Sequence, residues 1–141
     1  MSTYYMNEAA FDLPEVGFVD RSVTYLEAPI GDGDESISLV VERASAEERD
    51  LARIVDEHIA DARKRLRGYA PIHRRERTVE RMPALDLAAR FVDDDGSAYT
   101  RSVHLVLDDV WILIASEGPA EHRGFCDECL EHVLSTLRLR T

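Results

Sequence analysis

Between Met82 and Gly118, apolar and polar positions alternate in a way that predicts three antiparallel strands joined by two short turns. Leu85, Leu87, Ala89 and Phe91 alternate with Asp86, Ala88 and Arg90, and Tyr99, Val103, Leu105 and Leu107 keep the same period of two. Val110 to Ala115 is apolar on both faces, so that strand needs cover on both sides. The turns are Asp93-Asp94-Asp95-Gly96 and Asp108-Asp109, where short acidic side chains and a glycine tolerate tight backbone angles.

Upstream, Thr3–Met6 and Glu8–Leu13 read as short extended pieces around Asn7, ending at Pro14. Glu15 to Asp20 is a turn that puts one aromatic, Phe18, toward the core. Arg21 to Ala28 is a strand, with Val23 and Tyr25 on one side and Ser22, Thr24 and Leu26 on the other. Pro29 to Glu35 is a loop punctuated by Gly31 and Gly33. Ile37, Leu39 and Val41 alternate with Ser38, Val40 and Glu42 in a strand ending near Arg43. Ser45-Ala46-Glu47-Glu48 has the form of a capping box, and Leu51, Ile54, Val55, Ile59, Ala62 and Leu66 give the helix after it one apolar stripe. Gly68 is expected to stop that helix. Tyr69 to Val79 follows as a strand whose Arg74, Arg75 and Arg77 mark an exposed edge. A second helix is expected to start at Gly118-Pro119, with Phe125, Cys126, Cys129, Leu130, Val133 and Leu137 facing inward, and Leu137 to Arg140 to form a last short strand.

This order predicts one α+β domain over residues 1–141, a mainly antiparallel sheet with two flanking helices. The net charge of −11 argues against nucleic acid as a partner, since phosphate binding needs a positive field. One stretch departs from that balance: Arg63 to Arg81 holds eight Lys/Arg against Glu76 and Glu80. It reads as a solvated helix end and strand, or as a dock for an acidic segment. No apolar run reaches the roughly 18 residues of a membrane-spanning helix, and the N-terminus has neither a signal-peptide pattern nor a lipid-acceptor cysteine. The expected location is the cytoplasm, with the protein not embedded in a membrane. Two cysteines three residues apart suit a reducing compartment.

Candidate chemistry is sparse. His122, Cys126 and Cys129, at i, i+4 and i+7, could share a helical face and ligate zinc or centre a small-ligand enzyme. The bland reading is packing, because both thiols lie on the stripe with Phe125, Leu130 and Val133. Gly31-Asp32-Gly33-Asp34-Glu35 is acidic but lacks the length of a calcium-binding hand. No nucleophile elbow, phosphate-binding loop, dinucleotide fingerprint or His-Glu-x-x-His is present, so no cofactor and no catalysis are expected. The surplus of doubly apolar strand instead predicts a binding surface or a dimer contact. We place that groove on Val23, Tyr25, Ile37, Leu39 and Val41, with Ser22, Thr24 and Ser38 as the alternative set if the register is opposite, since a one-residue slip exchanges the two.

Tyr5-Met6-Asn7-Glu8-Ala9-Ala10-Phe11-Asp12-Leu13-Pro14, Asp20-Arg21-Ser22-Val23, Ser38-Leu39-Val40-Val41-Glu42-Arg43 and Met82-Pro83-Ala84-Leu85 together resemble small bacterial proteins of the DcrB-like group. Within it, the chain is most similar to the Eag chaperones that accompany type VI secretion effectors. The resemblance implies a Mog1/PsbP-like sandwich and a cytoplasmic homodimer without enzymatic activity. It also implies a partner, the hydrophobic N-terminal helices of an effector of the Rhs/PAAR kind, kept soluble until loading on the VgrG spike. A Mog1-like adaptor that binds a folded protein through its acidic surface is a further alternative.

Overall fold

The central hairpins form where the alternation places them. In the computed structural model, which describes residues 2–5, 9–15, 21–31 and 33–139, two four-residue strands, β1 (Ser2–Tyr5) and β2 (Ala10–Leu13), pair as a separate hairpin. The remaining strands are β3 (Val23–Pro29), β4 (Ser36–Ser45), β5 (Arg67–Val79), β6 (Met82–Asp93), β7 (Gly96–Leu107) and β8 (Val110–Pro119). They form one antiparallel sheet in the order β3-β4-β8-β7-β6-β5. Asp108 and Asp109 both take positive φ, the backbone that a two-residue hairpin requires.

The helices α1 (Leu51–Arg65) and α2 (Arg123–Thr136) lie on opposite faces of this sheet rather than together on one. Pleating puts Val103 and Leu105 of β7 on one side, packed with Ile114 of β8 and with Leu130 and Leu134 of α2. Leu85 and Leu87 of β6 point the other way, against Val55 and Ile59 of α1. The two-sided apolar character of β8 is thereby satisfied: Leu113 and Ile114, adjacent in sequence, are both buried.

Five local expectations are corrected. The first helix does not start at Ser45, which closes β4. Glu47 and Glu48 are held at φ +52 and +61, with the Glu48 N–H donating to Asp109 Oδ1 (3.0 Å), so contacts with the β7–β8 turn take the groups a cap would have used. Asp50 caps α1 instead, accepting from the Arg53 N–H at 2.8 Å. Gly68 does not end the helix, which stops at Arg65. It sits at φ +65 within β5, where the pairing with β6 slips between Arg67 and Ala70. Gly118 and Pro119 belong to β8, and α2 starts at Arg123 after a turn of 3-10 helix, Ala120–His122. A Cβ on Gly118 would stand 2.9 Å from Ile37 Cγ2, so glycine allows strand and helix to close at that point. On α2, Phe125 faces out with 49% exposure while Leu134 is buried, and residues 137–139 are not a strand. The expected turn at 16–20 with Phe18, together with Met6, Asn7, Glu8 and Arg140, lies outside the described residues.

β5 is an edge strand, as its arginines predict. They are not simply solvated. Arg77 donates to Asp86 Oδ2 (3.0 Å) and Glu131 Oε1 (2.9 Å), and Arg74 bonds Asp56 of α1 at 2.5 Å.

Candidate functional site

β3 forms the other edge, and every one of its residues is exposed. Its register sets what each face offers. Val23, Tyr25 and Glu27 lie opposite Glu42, Val40 and Ser38, and Thr24, Leu26 and Ala28 lie opposite Val41, Leu39 and Ile37. The groove read from the sequence therefore splits. Val23 and Tyr25 stand on the α1 side with Ser38, whereas Ile37, Leu39 and Val41 stand on the α2 side with Thr24. Ile37 is buried against Cys126, and Leu39 and Val41 pack on the core around Leu130, so these three are largely structural. Ser22 precedes β3, and its carbonyl accepts from the Arg43 N–H at 3.1 Å. The error is one of pairing: opposite residues share a face, and the turn places odd-numbered β3 residues opposite even-numbered β4 residues.

What remains open is an apolar strip on both faces of one edge strand. Val23 is 61%, Tyr25 59% and Leu26 54% exposed, the three most exposed large hydrophobic residues of the described chain. Covering each would return roughly 1–2 kcal/mol at about 25 cal/mol per Å². Leu26 and Val40 were not in the expected set. Their signal was present, because Leu26 falls out of phase with Val23 and Tyr25 and so makes both faces apolar.

On the α1 side the strip runs into a cleft of about 740 Å³ between the β3–β4 loop, the β6–β7 turn and the β8–α2 junction. Tyr25 belongs to both: its ring lies in the strip, and its hydroxyl meets Ser38 Oγ at 2.6 Å in the cleft wall. Six carboxylates line the cleft (Asp34, Glu35, Asp93, Asp95, Glu117 and Glu121), with no Lys or Arg among the lining residues. Glu117 accepts from Thr100 Oγ1 at 3.2 Å. Burial pushes its carboxyl pKa up; the Thr100 bond and Arg65 oppose the shift, and Glu42 adds to it. His122 Nε2 stands 3.2 Å from Glu35 and 3.7 Å from Glu121.

The same contact dismantles the zinc trio. His122 turns toward Glu35, while Cys126 is buried beside Ile37, Ala88 and Tyr99. Burial raises the Cys126 thiol pKa, which suits packing rather than ligation or thiolate chemistry. Among the described residues, Glu35, Glu121 and His122 are the group whose donor atoms gather, and the cysteines are not part of it.

Two buried polar clusters lie deeper, one on each face. Under α2, Asp86 accepts from Arg101 Nε (3.1 Å) and Nη2 (2.7 Å), from Arg77, and bonds His73 Nε2 at 3.0 Å. Burial alone would raise its pKa, but the bonds from Arg101, His73 and Arg77 win and hold it far below the usual carboxylate range. Glu131 of α2 closes the network by accepting from Arg101 at 2.6 Å and from Arg77. Under α1, the Trp111 indole N–H donates to His104 Nδ1 at 3.2 Å. Nε2 therefore carries the proton and donates to Ser102 Oγ at 2.8 Å, so His104 is not oriented to activate Ser102 as a nucleophile. Burial, reinforced by His58 and Arg74, lowers the His104 pKa to about 3.

The sequence model of the DcrB family matches residues 8–118. A search of curated proteins gives no match. Among solved structures, PA94 of Pseudomonas aeruginosa, a protein of unknown function described as a candidate regulator, superposes with a TM-score of 0.85 at 18% identity. The likeness covers 100% of this chain and 98% of that one. LpqN of Mycobacterium tuberculosis, involved in cell envelope biogenesis, gives 0.62 at 10% identity over 84% of this chain and 80% of its own. PsbP of the cyanobacterium Synechocystis gives 0.55 at 10% identity, covering 92% and 98%. At such identities the likeness concerns the fold, a PsbP-like sandwich, as the family resemblance implies.

Proposed function

Since the chain belongs to the DcrB family, we propose that it is a cytoplasmic chaperone, acting without catalysis. It would shield the hydrophobic N-terminal helices of a type VI secretion effector of the Rhs/PAAR kind before loading on the VgrG spike. The observation that carries this reading is β3, an edge strand with Val23, Tyr25 and Leu26 open to solvent on its two faces. A membrane-seeking helix held in water must cover a long apolar stripe, and aliphatic rows with interspersed hydroxyls on a sheet can supply that cover. Thr24, Ser38 and the Tyr25 hydroxyl supply the polar partners here. No helix among the described residues is long and apolar enough to cross a membrane. A homodimer is part of the proposal, since two copies would offer two such strips to one guest.

The test is co-expression with the apolar N-terminal segment of such an effector. The segment is expected to stay soluble and to co-purify, and Tyr25→Gln and Leu26→Gln to reduce its recovery several-fold while leaving the fold intact. Recovery unchanged in both variants removes β3 as the site, and a segment that stays insoluble whenever the protein is present removes the chaperone. Leu39→Gln and Val41→Gln are unsuitable probes, because both residues pack on the core. Light scattering showing a single chain at micromolar concentration removes the dimer.

A further inference from the structure

The apolar strip and the acidic cleft are joined through a single residue. The Tyr25 ring continues Val23 along the α1 face, and its hydroxyl sits with Ser38 in the cleft wall. A guest lying along β3 therefore cannot extend past Tyr25 on this face without meeting carboxylates. We propose that the occupant carries Lys or Arg within about one helical turn of its apolar stretch, and that this cation docks in the cleft at Glu117, Asp93 and Asp95. The inference rests on the chaperone reading and adds the chemistry that selects the guest.

Charge complementarity carries the argument. Glu35 and Glu121 already face His122, and Asp93 accepts the Asp95 N–H at 2.9 Å within the β6–β7 turn. Glu117 has a hydroxyl partner in Thr100 and, among the described residues, no ion pair. A side chain of four methylenes ending in a charge suits this boundary: its stem lies along Tyr25 while its head reaches the carboxylates. Segments destined for membranes supply the matching pattern, an apolar run flanked by Lys or Arg. A guest flanked by acids would meet like charges, so the cleft also rejects the wrong polarity.

The probe is a leucine–alanine helix of about 20 residues, fused to a soluble carrier and followed by Lys-Lys, Gln-Gln or Glu-Glu. Binding to the full chain is measured by titration at low and high salt. The Lys-Lys probe is expected to bind roughly tenfold more tightly than Gln-Gln, the worth of two or three partly screened pairs, and Glu-Glu more weakly still. High salt should erase the difference between Lys-Lys and Gln-Gln. Glu117→Gln should reduce the Lys-Lys probe toward the Gln-Gln level without altering Gln-Gln. The double variant Asp93→Asn/Asp95→Asn, on an exposed turn, repeats the test should Glu117→Gln disturb the sheet. Equal binding of all three probes, or Lys-Lys binding unmoved by both variants, overturns the cation site and leaves the chaperone reading standing. Failure of every probe overturns both. A Lys-rich peptide without the helix that binds as well as the full probe also overturns both, in favour of an acidic adaptor surface.

Discussion

The two ends of one sheet are built to different standards. Around β6, β7 and β8, residues on both faces are sealed, and even the charged side chains are answered: Asp86 is bonded by Arg101, Arg77 and His73, and His104 spends both ring nitrogens on neighbours. At β3 the residues are as apolar, yet nothing among the described residues covers them. The two regions share strand type and sheet, so intrinsic propensity does not separate them. Helix placement does, because α1 packs on β5–β7 and α2 on β7 and β8. A chain that invests its polar network in the centre can leave one edge unfinished without losing the fold.

Three measurements can break or sharpen that contrast. The largest effect is expected at Asp86→Ala, which strands the buried Arg101 guanidinium. Glu131 and Asp127 still answer part of that charge, so a loss of about 3 kcal/mol in a denaturant titration is expected. A loss under 1 kcal/mol would show that the centre does not depend on its ion network. Next is acid. With its pKa near 3 in the folded chain and near 6.5 when exposed, His104 takes up a proton on unfolding throughout the interval between. Stability should therefore fall as pH drops from about 6.5 toward 3, by up to about 1.4 kcal/mol per unit. The lowered pKa of His58 acts in the same direction. Asp86, whose pKa is depressed, adds its own loss only below its unfolded value near 3.8. His104→Gln should flatten the upper part of this profile, and an unchanged slope would move the acid sensitivity elsewhere. The smallest effect is expected at β3, where Leu26→Gln should change stability by less than about 0.5 kcal/mol. A cost above 1.5 kcal/mol would mean that the strip is part of the core.

The central meander was legible because β6 alternates with a period of two, β7 does so except at Arg101, and the turns carry acids and a glycine at the tips. The edge status of β5 was legible from its arginines. Helix boundaries were not: Ser45 and Glu48 have the form of a cap, but the backbone they belong to is claimed by Asp109, sixty-one residues away. The candidate site was half legible. Val23, Tyr25 and Ser38 were named, yet alternation within a strand does not say which residues of its neighbour share the face, so Ile37, Leu39 and Val41 were joined to the wrong partners. The cleft escaped because its carboxylates come from β8 and from three connections distant in sequence, and none of those segments alone reads as part of a site. The pairing of Asp86 with Arg101 was hidden for the same reason, since only the β6–β7 register brings them together.

An unfinished margin also limits how concentrated the protein can be kept. β3 ends the sheet with β4 as its one strand neighbour among the described residues, so its outer row is a template for any extended chain that drifts past. Glu27 and Pro29 give it a modest guard, a charge at one position and a missing donor at another. On the chaperone reading proposed above, protein made in excess of its guest should stick to itself through this edge as concentration rises, which would favour synthesis in step with that guest.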